Sequence, residues 1–285
     1  MILILGASGT VGSEIVRQLP AKGAAFRGAY HDPAKAPAGV DAVAVDLTKG
    51  DSVEAALRGV DTLFLLSPSQ GELERNVVAL AAKAGTKRIV KLSVWGAEDD
   101  FSFARIHRPV ETAIQASGLA WTFLRPNGFM QNMASYAGPS IRAQSAFYGS
   151  TGEARISHVN VRDIAAVAAT ALTEPGHEGQ VYTLSGPEAL SYGEVAAKLS
   201  AAAGTDIRYV DLTDEQLKGG MTGAGIPAAY ADLLLDLNRY YRAGHASAIT
   251  GDVKRITGRE PISFDRYAAE NADSFRLATA VTTAP

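Results

Sequence analysis

The sequence predicts an α/β fold, a doubly wound parallel sheet covered by helices on both faces, with a smaller C-terminal α+β lobe. Short and almost continuously apolar runs alternate with longer, Ala-rich stretches of helical periodicity up to Pro126. Such alternation is typical of parallel βαβ units with right-handed crossovers. The apolar character of the short runs indicates strands that are buried on both faces of the sheet.

Strands and helices follow one another in order along this first part of the chain. Strands are expected at Met1–Leu5, Ala24–Tyr30, Ala42–Val45, Thr62–Leu66, Arg88–Ser93 and Trp121–Leu124. Helices are expected at Gly12–Lys22, Asp51–Arg58, Gly71–Ala84 and Phe103–Ser117. A glycine just past a helix is a usual stop signal, and Gly23 and Gly118 hold that position.

After Pro126 the alternation of strands and helices becomes less regular, because segments without clear periodicity separate the periodic ones. Further helices are expected at Val161–Glu174, Tyr192–Ala203, Ala228–Ala243 and within Pro261–Arg276, and a further strand at Gln180–Leu184. We therefore predict a first domain over residues 1–150. Residues 151–285 are expected to complete the sheet and to form the smaller lobe.

Composition excludes several classes of protein. The 285 residues are 47% hydrophobic, which is enough for a sizeable core, and the formal net charge is −3 without a basic stripe, so nucleic acid is not an expected partner. The absence of cysteine excludes disulfides and favours a cytoplasmic protein. No signal peptide and no run of about 20 apolar residues is present, so no membrane segment is expected. A monomer and a homodimer both remain open.

A glycine-rich loop, Gly6-Ala7-Ser8-Gly9-Thr10-Val11-Gly12, joins the first predicted strand to the first helix. Glycines at these places allow a tight turn, close approach of the backbone to a pyrophosphate, and close packing of the helix on the strand. The helix N-terminus adds free N–H groups and a positive dipole end. The loop therefore predicts a Rossmann-type dinucleotide site at Gly6, Ser8, Gly9, Thr10, Val11 and Gly12. The spacing differs by one from the common Gly-x-Gly-x-x-Gly form, and a ligand-free turn is the alternative.

The end of the second strand favours NADP(H) as the dinucleotide, with NAD(H) possible. An acidic residue usually binds the ribose diol of NAD at this place, but the spacing puts Tyr30 there. His31 follows it, and Lys35 is near in sequence, so a cationic surface could meet a 2′-phosphate. The alternative for His31 is a plain surface turn, since Asp32-Pro33 is a turn former.

Other strand ends supply further candidate cofactor contacts at the same edge of the sheet. Asp46 and Leu47 end the third strand, where the adenine ring is expected, although Asp46 could instead be a capping or loop carboxylate. Ser67 and Pro68 end the fourth strand, and Ser93 ends the fifth. In open α/β sheets, ligands bind beyond the carboxyl ends of the strands.

These residues resemble the short-chain dehydrogenase superfamily, and more narrowly its atypical NmrA-like branch, close to triphenylmethane reductases and NADPH-dependent quinone reductases. The matching pieces cover nearly the whole chain: Gly6–Gly12, Tyr30–Lys35, Asp46-Leu47, Ser93, His107–Glu111, Ser117–Asn132, Val161–Ala165 and Asp252–Pro261. The resemblance implies an NAD(P)H-dependent reductase. It also implies that Pro126 and Asn127 bracket the nicotinamide.

One departure from the superfamily bears on the chemistry. Its reductases carry Tyr-x-x-x-Lys on the helix after the fifth strand, whereas here Phe103 and His107 hold those two positions, and Glu111 follows four residues later. Phe103 cannot donate a proton, so ordinary ketone reduction is not expected. Quinone-like or polarised aromatic acceptors, which need little acid help, fit better. His107 is a candidate catalytic group or an ordinary helix residue, and Glu111 is expected to be structural.

The acceptor is expected to meet aromatic and soft apolar side chains. The candidates are Trp95, Phe129, Met130, Asn132 and Met133, with plain core packing as the alternative for the methionines. Tyr148 is a candidate replacement acid. The scattered histidines indicate no metal site.

Two functions remain open at this point, besides a distant third, an epimerase or dehydratase. The first is a reductase. The second is a non-catalytic NADP(H)-binding sensor, which the loss of tyrosine and lysine also allows. An open pocket lined by Phe129, Met130 and Met133 would favour the reductase, and a closed, packed arrangement would favour the sensor.

Overall fold

The computed structural model describes residues 1–67 and 71–277. Its strands, in chain order, are β1 (Ile2–Ile4), β2 (Phe26–Tyr30), β3 (Ala42–Ala44), β4 (Thr62–Leu65), β5 (Arg88–Leu92), β6 (Ala120–Pro126), β7 (Ala146–Gly149), β8 (Gln180–Leu184) and β9 (Arg208–Asp211). The strands expected up to Pro126, and the one at Gln180–Leu184, are all present with ends shifted by a few residues.

The α-helices lie between the strands and continue beyond the last of them. They are α1 (Thr10–Gln18), α2 (Gly50–Leu57), α3 (Gly71–Ala84), α4 (Ser102–Ala116), α5 (Gly138–Gln144), α6 (Val161–Thr173), α7 (Tyr192–Ala203), α8 (Asp214–Gly223), α9 (Ala228–Arg242), α10 (Asp252–Thr257) and α11 (Phe264–Glu270). No helix in the described ranges is long and apolar enough to cross a membrane.

A seven-stranded sheet in the order β3-β2-β1-β4-β5-β6-β8 organises the first part of the described chain. Every neighbouring pair in it is parallel. The order runs outward from β1 in both directions, so the connections reverse between β1 and β4. Such a reversal opens a crevice at the carboxyl ends of the strands, where ligands of doubly wound folds bind. The predicted Rossmann-type fold is confirmed.

Helices on both faces of this sheet bury its apolar side chains. Leu3, Leu63 and Phe123 from the strands form one core with residues of α2, α3 and α4 such as Val77 and Ile114, all of them almost inaccessible to solvent. On the opposite face α1 packs against α6, and α6 also contacts β4, β5 and β6. This double cover explains why the central strands contain so few polar residues.

The described chain divides into two compact units. Unit 1 contains Met1–Pro126, Val161–Leu184 and Thr250–Glu260, and unit 2 contains Asn127–Asn160, Ser185–Ile249 and the residues from Pro261 on. The sequence favoured a single division at residue 150, but the units interleave along the chain. Residues after β6 leave the large sheet and pair with a later segment through the bridge between Phe129 and Val159.

Unit 2 has its own apolar core and a small parallel pair of strands. The core contains Met130, Phe147, Val195 and Phe264, and β7 pairs with β9 in the register Ala146 to Arg208. The sequence predicted neither β7, β9 and α8 nor the short helices α5 and α10. Strands of four residues with mixed polarity carry too little periodic signal to be distinguished from loops.

A buried histidine of unit 2 should make stability depend on pH. His158 is 4% exposed, and burial lowers its pKa from 6.5 to about 4. Because the unfolded chain binds this proton more tightly, His158 contributes stability above about pH 6.5 that is lost as the pH falls towards 4, about 3 kcal/mol in all. Urea unfolding at several pH values should show this loss in the parent protein and a smaller one in His158→Phe.

Candidate functional site

The glycine-rich loop adopts the geometry that its sequence predicted. Gly6 has a φ of 70°, in the left-handed region that favours glycine, and its carbonyl accepts the Gly9 N–H at 2.9 Å. A Cβ built on Gly12 would lie 2.0 Å from the Gly6 carbonyl oxygen. Only a residue without a side chain fits there, so Gly12 allows α1 to pack directly on the turn.

The N-terminus of α1 is open to an anion. The helix begins at Thr10, two residues earlier than predicted, with Gly9 as its N-cap. No side chain caps this end, and no acidic residue lies in the first turn. Ser8, Gly9 and Thr10 are exposed, whereas the Val11 side chain is buried, so Val11 can offer a ligand only its backbone N–H. The loop fits the pyrophosphate of a dinucleotide.

The end of β2 presents no carboxylate at the expected place. Tyr30 is 3% exposed, and its ring covers Gly28, so closely that a Cβ at Gly28 would lie 2.6 Å from a ring carbon. His31 and Lys35 are both exposed on the following turn. Asp32 accepts the Ala34 N–H at 3.1 Å and so forms that turn. This surface suits a phosphate better than a ribose diol.

Asp46, predicted to meet the adenine ring, is engaged in its own turn. Its Oδ1 accepts the N–H and the hydroxyl of Thr48, at 3.0 and 2.6 Å, and Lys49 forms an ion pair at 3.2 Å. The Thr48 hydrogen bonds lower the pKa of Asp46 to about 2. The neighbouring Leu47 lines a groove of about 300 Å³ together with Thr48, Leu73, Asn76 and Val77.

Two buried serines at the carboxyl ends of adjacent strands have hydroxyls without partners. Ser67, after β4, and Ser93, after β5, are 3% and 5% exposed, and neither Oγ has a hydrogen-bond partner among residues 1–67 and 71–277. A buried polar group is normally satisfied, so these two hydroxyls fit hydrogen bonds to a bound ligand at this edge. Pro68, the other residue predicted here, lies outside the described residues.

A buried polar network lies beneath Ser67. Lys91 of β5 is fully buried, and its Nζ lies 3.1 Å from Glu74 of α3 and 3.3 Å from Nδ1 of His107 on α4. Glu74 also accepts the Ser67 N–H at 2.9 Å. Burial, and then the Lys91 charge, hold the pKa of His107 well below 6.5, so the imidazole is neutral.

The next residues on the same face of α4 are structural. Glu111 accepts two hydrogen bonds from the Arg125 guanidinium, at 3.0 and 2.6 Å, and both side chains are largely buried. Arg125 also pairs with Glu98, whose side chain is 67% exposed. Glu111 is therefore bonded inside the fold, as the sequence suggested. Phe103, which leaves the helix without a phenol, is half-buried.

Trp95 is held beside the end of β6. Its backbone N–H donates to the Pro126 carbonyl at 2.9 Å, and the residue is 8% exposed. Pro126 is itself buried as the last residue of β6. The structure therefore brings together Ser93, Trp95 and Pro126 at neighbouring strand ends, within unit 1.

In unit 2, the Asn127 side chain is fully engaged within the protein. Its Nδ2 donates to the Ser157 hydroxyl at 2.9 Å and to the Ala246 carbonyl at 2.8 Å, and its Oδ1 accepts the Gly128 N–H at 2.9 Å. A contact between Asn127 and the cofactor, if made, would have to come from the backbone.

The predicted acceptor residues of unit 2 divide into packed and accessible ones. Met130 and Met133 are 1% and 6% exposed and lie in the core, as their alternative interpretation expected, so they offer no open surface. Phe129 and Asn132 are half-buried. Tyr148 is exposed, and its hydroxyl donates to Gln144 at 2.6 Å, which gives a catalytic role no support.

Sequence reasoning missed a cluster of buried titratable rings around Gly128. A Cβ built on Gly128 would lie 3.1 Å from Cδ2 of His158 and 3.3 Å from the Tyr241 hydroxyl. Nδ1 of His158 has no hydrogen-bond partner in the described part of the chain, and its ring lies 5.8 Å from that of Tyr192. Burial raises the pKa of both tyrosines.

Comparison with known proteins decides the family. A family model described as NAD(P)H-binding matches residues 6–175, more than half of the chain. The chain belongs to this NAD(P)H-binding family. Within the family it is an NAD(P)H-dependent reductase, as its motifs predicted.

Three similar proteins place the chain within the family. An NAD(P)H azoreductase of Xenophilus azovorans is 41% identical and covers 98% of this chain and 100% of its own length. Quinone oxidoreductase 2 of Escherichia coli is 31% identical over 83% of this chain and 86% of its own. A solved NADPH-dependent quinone oxidoreductase from Escherichia coli, complexed with NADPH, is 27% identical, with a TM-score of 0.87, over 95% of this chain and 99% of that one.

In this family member the clearest missed signal is Lys91. A charged residue inside the apolar run Arg88–Ser93 breaks the pattern of a strand buried on both faces. Such a break indicates a lysine that must be paired inside the protein.

Within the described residues, no group of three or more His, Asp or Glu side chains is arranged to hold a metal.

Proposed function

We propose that this reductase uses NADPH to reduce quinone-like or polarised aromatic acceptors, in the cytoplasm. The observation that carries the proposal is the identity of two residues on α4. Phe103 lies where the superfamily has its tyrosine, and a neutral His107 lies where it has its lysine. A site without a phenolic acid suits acceptors whose negative charge is delocalised as they are reduced. The azoreductase and quinone oxidoreductase names of the relatives support this acceptor class.

The cofactor would be held by residues of unit 1. The N-terminus of α1 and the loop Gly6–Gly12 would hold its pyrophosphate, and the hydroxyls of Ser67 and Ser93 would bond to it at the sheet edge. When bound, reduced nicotinamide supplies the hydride that the acceptor takes. The protein contributes orientation, exclusion of water and a neutral hydrogen-bond donor.

The direct test is consumption of NADPH by the purified protein across a panel of quinones, azo dyes and cationic aromatic dyes, with NADH alongside. We expect acceptor-dependent loss of NADPH, faster than that of NADH. Differential binding of NADPH and NADP without turnover of any acceptor would instead identify a redox sensor, which the packed state of Met130 and Met133 favours.

The preference for NADPH should depend on His31 and Lys35. Replacing both with alanine removes the hydrogen-bond donors beside the expected 2′-phosphate, and a hydrogen bond to a charged group contributes about 1.5–3 kcal/mol. We expect KM for NADPH to rise about 10- to 100-fold while KM for NADH changes less than about threefold. An equal rise in KM for both cofactors would show that His31 and Lys35 do not recognise the 2′-phosphate.

A further inference from the structure

The polar network below the sheet edge contains more than an ion pair. The Lys91 Nζ faces Glu74, the carbonyl of Leu92 and Nδ1 of His107, and all three contacts lie within hydrogen-bond distance. Lys91 and Glu74 are 0% and 1% exposed, and His107 is 9% exposed. A lysine taken fully out of water is retained in a fold only at a considerable cost in desolvation. The network therefore calls for a role beyond stability.

The contact with His107 has a definite chemical consequence. Burial lowers the pKa of Lys91, and the adjoining Glu74 carboxylate opposes this by favouring the charged amine. A charged lysine amine can only donate hydrogen bonds, so the 3.3 Å contact makes Nδ1 of His107 the acceptor. The proton of the neutral imidazole must then sit on Nε2. The His107 imidazole therefore carries its N–H at Nε2, the ring nitrogen that does not contact Lys91.

We propose that Lys91 is a positioning residue that fixes His107 as the neutral Nε2–H tautomer, and that this N–H is the hydrogen-bond donor offered to the acceptor in place of the absent tyrosine hydroxyl. This inference rests on the proposed function. Lys91 thereby replaces, from a strand, the lysine that the superfamily carries on the helix, although it acts on an imidazole and not on a phenol.

The charges around His107 agree with a neutral donor. Lys91 on β5 is the cation that faces it, Glu74 on α3 neutralises that cation, and Glu111 on α4 is committed to Arg125 on β6. Glu111 accepts both of its hydrogen bonds from Arg125, and its charge also favours the charged form of Lys91. A neutral imidazole donates the same hydrogen bond across the pH range in which a free histidine would titrate.

The first test observes the tautomer itself, independently of turnover. Two-dimensional ¹H–¹⁵N spectra of histidine side chains in the full chain distinguish Nε2–H from Nδ1–H, and His107→Gln assigns the signal among the five histidines. We expect His107 to remain the neutral Nε2–H form between about pH 6 and pH 8. The Nδ1–H form, or titration within that range, would overturn the role of Lys91.

The second test removes the positioning group without leaving a buried charge unpaired. Lys91→Met combined with Glu74→Gln deletes both charges, and the glutamine keeps an oxygen for the Ser67 N–H. We expect the tautomer to become mixed and kcat to fall about 10- to 100-fold, with KM for NADPH changed less than about threefold.

Substitution of His107 tests the donor. His107→Gln keeps an N–H near the Nε2 position and should retain about tenfold more kcat than His107→Leu. Equal kcat in these two variants, or a double variant with unchanged tautomer and kcat, would overturn the proposal. A parent protein that reduces no acceptor would contradict the proposed function and the donor role of His107, whereas the spectra would still decide the role of Lys91.

Discussion

Gly12→Ala should abolish cofactor binding. The added Cβ would lie 2.0 Å from the Gly6 carbonyl oxygen and 3.0 Å from Cα of Ala7, and both are backbone atoms that cannot rotate away. To relieve the overlap, α1 must move from the turn that aims its free N–H groups at the pyrophosphate. We expect NADPH affinity, measured by titration calorimetry, to fall at least about 100-fold, because even a 1 Å misplacement of positioning groups is costly.

A matched glycine provides the control. Gly50 begins α2, has an ordinary φ, and has no atom within 4 Å of the position of an added Cβ. Gly50→Ala should leave NADPH affinity unchanged and alter the free energy of unfolding by less than about 1 kcal/mol. Equal loss of affinity in the two variants, or full affinity in Gly12→Ala, would contradict a pyrophosphate site at this loop.

Glu111→Ala should cause a large loss of stability. It leaves the largely buried Arg125 guanidinium without its bidentate partner, whereas the remaining partner, Glu98, is mostly exposed. Removing one member of a buried ion pair costs about 3–5 kcal/mol because the other charge stays desolvated. Urea unfolding of the purified variant should report this loss.

Glu98→Ala is the corresponding control on the same guanidinium. Its carboxylate is 67% exposed, so its contact with Arg125 is screened by water, and we expect a change of less than about 1 kcal/mol. If the two glutamate variants unfold at the same urea concentration, Arg125 is not held chiefly by Glu111. In that case the structural role given to the face of α4 beyond His107 would be wrong.

The sheet and the phosphate loop could be predicted from the sequence because each is encoded locally. Mostly apolar runs of four to seven residues predict the strands, and the glycines at 6, 9 and 12 predict the turn that follows β1. Tyr30 could likewise be placed by counting from Gly23, since β2, which ends at Tyr30, begins only three residues after this glycine. Periodicity and turn residues carry such information without any long-range contact.

The buried polar network and the structural role of the Asn127 side chain depend on contacts between residues that are distant in sequence. Glu74, Lys91 and His107 come from three different elements, and nothing in their spacing shows that they meet. Asn127 similarly has a partner more than a hundred residues away, at Ala246, so its side chain could not be recognised as structural. In unit 2 the short strands β7 and β9 lack the apolar alternation that reveals strands, and they were missed for that reason.

We have proposed that this protein passes a hydride from NADPH directly to a polarised aromatic acceptor. It is tested most directly with NADPH deuterated at the transferable position of the nicotinamide and a cationic triarylmethane dye, whose central carbon keeps any deuterium it receives. We predict loss of dye colour, consumption of one NADPH per dye molecule, and one deuterium at the former cationic carbon. A decolourised product without deuterium, or NADPH that is bound but never consumed, would contradict direct hydride transfer from NADPH to the dye.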